Sequence, residues 1–220
     1  MSFTLPDSTV PMTPDAVIQH TRAWVTRAVV GLNLCPFAKA PLVKGQVRFV
    51  ASGARDLPAL LLHLADELRF LARADPAETE TTLLIHPHVL AAFTDFNQAL
   101  DAVDSLVDAL GLEGELQVAS FHPQYQFAGT DAHDMANATN RSPYPTLHLL
   151  REDSIDRAVE AFPEPEEIVD ANLHTLEALG AEGWAALVEQ CRIDATQTSE
   201  QLAQPEPSDQ PEANASPKPL

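Results

Sequence analysis

Three stretches decide the fold: Gln46-Val47-Arg48-Phe49-Val50, then Asp56-Leu57-Pro58 with the leucines behind it, then Thr81-Thr82-Leu83-Leu84-Ile85-His86. The first is short and rich in β-branched and aromatic residues, which predicts a strand. Asp56 suits a helix cap and Pro58 the first helical turn, while Leu57, Leu60, Leu61, Leu64, Leu68 and Leu71 recur at helical spacing. The third stretch is apolar, partly β-branched and ended by Pro87, so it reads as a second strand. Two strands joined through a helix normally lie parallel with a right-handed crossover.

Outward from this unit the same signals continue. Phe93, Phe96, Leu100, Val103, Leu106, Val107 and Leu110 predict a helix over about 89–110, with Gly111 as its stop. Strands are predicted at 116–121 and 146–150, separated by a polar loop over 122–145 of a length usual for functional or mobile segments. Before the first strand, Thr13-Pro14-Asp15 supplies a cap, a first-turn proline and a first-turn acid. Val17, Trp24, Ala28 and Leu32 then share a face up to a stop at Gly31, and a turn follows at 33–37. Helices are predicted at about 154–162 and 166–179, and a short one around Trp184, Leu187 and Cys191. The expected fold is α/β: a single domain with a mixed sheet of about four strands flanked by helices and an N-terminal helix before the first strand. Residues 1–12 form an arm, 13–192 the domain, and 193–220 a disordered, acidic Pro/Gln-rich tail with almost nothing to bury.

A body of about 180 residues buries roughly 70% of the surface its unfolded chain exposes, so it needs neither disulfides nor a structural metal. With two cysteines and no leader pattern at the start, a reducing cytoplasm is the expected location. No apolar run approaches the roughly 20 residues of a membrane helix. A net charge of -19 disfavours nucleic acid as a partner. Residues 16–55 run against that charge, with Arg22, Arg27, Lys39, Lys44, Arg48 and Arg55 and no acid.

Four motifs carry a resemblance: Leu32-Asn33-Leu34-Cys35-Pro36-Phe37-Ala38, Ser120-Phe121-His122-Pro123-Gln124-Tyr125-Gln126-Phe127, Thr139-Asn140-Arg141-Ser142-Pro143-Tyr144-Pro145 and Leu147-His148-Leu149-Leu150-Arg151-Glu152. Together, and in this order, the chain resembles the bacterial domain of unknown function 1415 family from about Thr13 to Leu179. The resemblance implies a domain boundary and candidate positions. It implies no activity.

Chemistry has to come from the residues themselves. Cys35, in a cationic sequence neighbourhood, is the candidate nucleophile, against the plainer role of a packed thiol. His122, at a strand end opening the long loop, is the candidate base, with Gln124 and Tyr125 beside it as hydrogen-bonding groups; the alternative has it capping the loop backbone. Arg141, within Asn140-Arg141-Ser142-Pro143-Tyr144-Pro145, is the candidate anion binder, together with Arg48, His148 and Arg151. Its alternative partner is a carboxylate of the chain such as Glu152. No metal is assigned; if one is bound, His86, His88, His122 and His133 are the candidate ligands. Paired-cysteine, His-Glu-x-x-His, glycine-rich phosphate-loop and Gly-x-Ser-x-Gly signatures are absent, and no cofactor is expected.

Three functions fit these residues. The leading one is an enzyme acting on a small anionic substrate through Cys35, His122 and Arg141. A second is a noncatalytic module that binds a small ligand or a protein through the 122–145 loop. The third is a metal-dependent enzyme. The first requires its three side chains to meet in one pocket.

Overall fold

The computed structural model describes residues 12–161 and 165–203. The expected arm, apart from Met12, and the expected tail beyond residue 203 lie outside the described residues.

Helix α1 (Pro14–Trp24) begins where the Thr13 hydroxyl accepts the Ala16 amide at 3.3 Å. The apolar spacing predicts that it continues to Gly31 as an α-helix. Instead, Val25–Val30 widens into a π-helical turn, in which the Gly31 amide donates to the Thr26 carbonyl and the Leu34 amide to that of Val29. Apolar spacing over six residues does not separate a turn of 3.6 from a wider one. Gly31 caps the segment with helical backbone, and only glycine suits that place because a β-carbon there would collide with the Arg27 carbonyl oxygen. A short helix, α2 (Lys39–Val43), follows; it buries no side chain, so no apolar period announces it.

Strand β1 (Val47–Ala51), helix α3 (Leu57–Arg73) and strand β2 (Thr81–Ile85) form the predicted unit, and the Asp56 carboxylate caps α3 by accepting the Ala59 amide at 2.8 Å. Helix α4 (Phe93–Ala109) starts later than the predicted 89, because Pro87 and a left-handed Leu90 (φ 58°) keep residues 86–92 in a turn. Strands β3 (Leu116–Phe121) and β4 (Thr146–Arg151) complete a four-stranded sheet of order β1-β2-β4-β3. β1 and β2 are parallel, and β4 is antiparallel to both neighbours. The three strands linked through helices thus run the same way, with β4 inserted against them.

Both faces of the sheet are covered. Leu84, Leu147 and Leu149 pack under α3 and α4 with Leu60, Leu64, Leu68 and Phe96. Alternate residues Phe49, Leu83 and Ile85 pack on the other face against Val17, Trp24, Leu176 and Trp184. Every residue of β2 is buried, as a central strand between two covered faces requires.

Helix α5 (Glu152–Ala161) leaves β4 directly, and α6 (Pro165–Ala203) packs along α1. α6 breaks at Gly180, whose φ of 67° and ψ of 174° suit glycine, between the last two predicted helices. Its second half continues past residue 193, where composition alone places the start of the tail. Cys191 and Ala195 stay buried, and Asp194 pairs with Arg27 of the π turn. One narrow seam of this kind is invisible in a composition of glutamine, threonine and serine. No described helix is long and apolar enough to cross a membrane.

Candidate functional site

Between α1, the 122–145 loop and the second half of α6 lies a cavity of about 330 Å³. α1 contributes His20 and Trp24 to its wall; the loop contributes Gln124, His133, Met135, Arg141 and Ser142; α6 contributes Trp184, Val188, Glu189, Cys191 and Arg192. The π turn begins at the residue after Trp24, so the departure from regular helix adjoins this wall.

His20 and Trp24 sit four residues apart on one face of α1, each 3% exposed. His20 Nδ1 is 3.2 Å from the Tyr144 hydroxyl, with the two rings edge-on at 5.4 Å. His20 Nε2 and Trp24 Nε1 are closed off from solvent and have no hydrogen-bond partner among the described residues. Orphaned polar atoms of this kind cost about 1–3 kcal/mol each unless a water or ligand satisfies them. Burial, helped by Arg192 and opposed by Glu189, holds the His20 imidazole down at about 4. Burial pushes the Tyr144 hydroxyl up to about 12. At neutral pH the pair is an uncharged imidazole and a protonated phenol.

Arg141 laces the loop together: its Nε donates to the Tyr125 carbonyl at 3.2 Å and its Nη2 to that of Ala132 at 2.6 Å. Burial lowers its pKa, but a guanidinium keeps its charge at any working pH. Glu152, its alternative partner, lies beyond the far end of β4. Ser142 Oγ donates to the Tyr144 carbonyl at 2.6 Å, holding the turn that brings Tyr144 to His20. Asn140 Nδ2 donates to the Ser120 carbonyl at 3.2 Å, and the backbone of Asn140 accepts the His122 amide. On α6, Arg192 forks onto Glu189.

Other expected site residues serve the fold. His122 is fully buried against Phe93 and Phe96. Its Nδ1 accepts the Gln124 amide at 3.0 Å, so Nε2 carries the proton and donates to the Leu90 carbonyl at 3.2 Å. Both nitrogens are engaged, no lone pair remains for a base, and burial lowers the pKa. The loop-capping alternative describes this arrangement.

Cys35 is partly buried and is not part of the cavity wall. Burial raises its pKa, and hydrogen bonds from the Phe37 and Ala38 amides offset only part of that rise. The basic residues near it in sequence do not produce the thiolate they suggest; Arg48 is engaged elsewhere. Its guanidinium binds Glu67 at 2.8 and 3.0 Å and lies over the Phe70 ring, where it neutralises a buried carboxylate.

Arg151 donates to the carbonyls of Leu71, Ala74 and Thr79, closing the C-terminal end of α3. His148 points away from Leu147 and Leu149, as strand alternation requires. It bonds to Thr81 Oγ at 2.8 Å, with burial holding its pKa down at about 4. Tyr125 packs on Phe93 and Phe127. His86 bonds through Nδ1 to the Val89 carbonyl. Among the described residues, no three His, Cys, Asp or Glu side chains group so as to hold a metal ion.

The structure therefore brings Arg141, Gln124, Ser142 and His133 to one hollow and leaves Cys35, His122, Arg48 and Arg151 outside its wall. The sequence reading missed His20, Trp184, Glu189, Cys191 and Arg192 as wall residues. A signal existed for His20: it falls on the same face as Val17 and Trp24, where a polar residue interrupts an apolar stripe.

Fold and site together define a class: a mixed α/β domain whose sheet is covered on both faces and whose cavity lies between one helix pair and a long loop. The chain belongs to the family described as Protein of unknown function (DUF1415), whose sequence model matches residues 16–186. No curated protein and no solved structure matches it.

Proposed function

We propose that this protein binds a small organic molecule in the hollow between α1, the 122–145 loop and the second half of α6. The observation that carries this reading is a largely apolar cavity whose wall brings Trp24, Trp184, Met135 and Val188 together with the polar groups of Gln124, Ser142 and Arg141. Ligand sites are concave, mostly apolar and supplied with a few convergent polar groups, and about 330 Å³ sits at the small end of their range. The wall's fixed charges are Arg141, Arg192 and Glu189, a net positive set in a chain of -19. A small molecule with an acceptor or anionic group is the partner this favours.

The binding-module reading is preferred to a Cys35 and His122 enzyme. That enzyme needs a base with a free lone pair and an activated thiol, whereas His122 is hydrogen-bonded at both nitrogens and burial holds the Cys35 proton on. The test is thermal-shift screening of small acids and their neutral analogues against the wild-type chain and Ala185→Trp, which puts a large side chain at an exposed α6 residue of the cavity wall. Compounds that raise the melting temperature of the wild type but not of that variant support the reading. Equal shifts in both chains, or none in either, would refute it.

A further inference from the structure

We propose that the outer edge of β3 takes up an extended, lysine- or arginine-rich peptide segment of another protein as a fifth strand. Strand register decides which backbone groups lie open there. β3 ends the sheet, pairing with β4 alone among the described residues. Leu116 stands opposite Arg151, so Glu115 stands opposite Glu152, and the Glu152 amide donates to the Glu115 carbonyl at 3.0 Å. In an antiparallel pair, bonded residues alternate with unbonded ones. Gln117, Ala119 and Phe121 therefore turn their backbone groups to β4, while Leu116, Val118 and Ser120 turn theirs outward. Two outward groups are met locally: the Leu116 amide by the Leu112 carbonyl, and the Ser120 carbonyl by Asn140 Nδ2. Between them, the Val118 amide and carbonyl have no partner among the described residues, and Val118 is only half-buried. An open edge of this kind is a template for a further strand.

Charge selects the occupant. A groove beside this edge is lined by Leu116 and Val118 and by the acids Asp104, Asp108, Glu113 and Glu152, with no basic residue. It shares no residue with the hollow. Asp104 and Asp108 lie in the last turns of α4, whose final turn carries no base, so they add to the negative end of the helix dipole instead of offsetting it. A cationic strand relieves that repulsion and meets the Val118 groups together. A second copy of this chain, paired β3 to β3, would bring the two acidic sets side by side. The chain's own residues 204–220 carry Glu206, Asp209 and Glu212 against Lys218 alone, and five prolines there lack the N–H that a ladder needs.

The test is fluorescence anisotropy of the full chain with a labelled acetyl-KTKVKTK-amide peptide, two versions of it N-methylated at one or the other set of alternate backbone nitrogens, and the acidic peptide ETEVETE. The parent peptide is expected to bind and the acidic one is not. One methylated version should lose affinity about ten-fold or more, while the other, methylated on the side that faces away, binds as the parent does. Val118→Pro removes an outward N–H without touching the β4 ladder and should weaken the parent peptide about ten-fold. Asp104→Asn combined with Asp108→Asn should weaken it about three-fold or more. Far-UV circular dichroism checks folding; if Val118→Pro fails to fold, the two methylated peptides on the wild-type chain decide. Equal binding of all three lysine peptides would mean plain charge attraction to an acidic chain and overturn the proposal. Equal binding of the acidic peptide, or no binding of the parent up to about 1 mM, would overturn it as well. A dimer in sedimentation equilibrium that Val118→Pro dissolves, without peptide binding, would overturn it in favour of a second copy.

Discussion

Cys35 and Arg48 show how surroundings in space override sequence context. Cys35 has basic neighbours along the chain, but a thiol responds to what surrounds it in space, and there desolvation dominates. Iodoacetamide should therefore label Cys35 in the native chain more slowly than in the urea-unfolded chain at pH 8, as read by mass spectrometry; faster labelling of native Cys35 would contradict the raised pKa. Arg48 makes the converse point. It suits an anion, and the anion it finds is Glu67, 6% exposed. Arg48→Ala should lower stability by about 1–2 kcal/mol in urea titrations, discounted for the half-exposed guanidinium, and leave ligand affinity unchanged. A loss of affinity with stability intact would restore Arg48 to the site.

At the scale of elements, the strands and their linking helices were legible because their periods are long and apolar: α3 carries six leucines at helical spacing, and β1, β2, β3 and β4 all appear where predicted. What escaped were features without such a period. The π turn at Val25–Val30 differs from an α-helix by one hydrogen-bond step, and the late start of α4 depends on the left-handed Leu90. The seam along the end of α6 rests on few residues, among them Cys191, Asp194 and Ala195. Gly31 offers a test of the π turn. Gly31→Ala should destabilise the chain by about 1–3 kcal/mol in chemical denaturation, because the added methyl meets the Arg27 carbonyl. A neutral effect would argue for a regular helix end there. The site was less legible than the fold for a related reason. Arg141 and Gln124 were found from their loop, but the partner wall comes from α1 and from residues up to Arg192, joined only by packing.

Among the described residues, burial holds His20, His86 and His148 down at about 4 and lowers His122 as well. In the unfolded chain each titrates near 6.5. Between about pH 6.5 and 4 the unfolded state thus binds more protons than the native one, so the stability from these groups is present above pH 6.5 and lost as pH falls toward 4. Melting temperature should decline across that window, before most carboxylates are protonated. A flat profile from pH 7 to 4.5 would mean that the histidines are not buried neutral.

Trp24 reports most directly on the hollow itself. The chain has two tryptophans, so a ¹⁵N-labelled sample gives two indole N–H signals, and Trp24→Phe assigns one of them. Saturation with a compound that raises the melting temperature should shift the Trp24 and Trp184 indole signals, because both residues line the hollow. If both signals stay in place while the compound binds, it does not bind in the hollow and the account of the site is wrong.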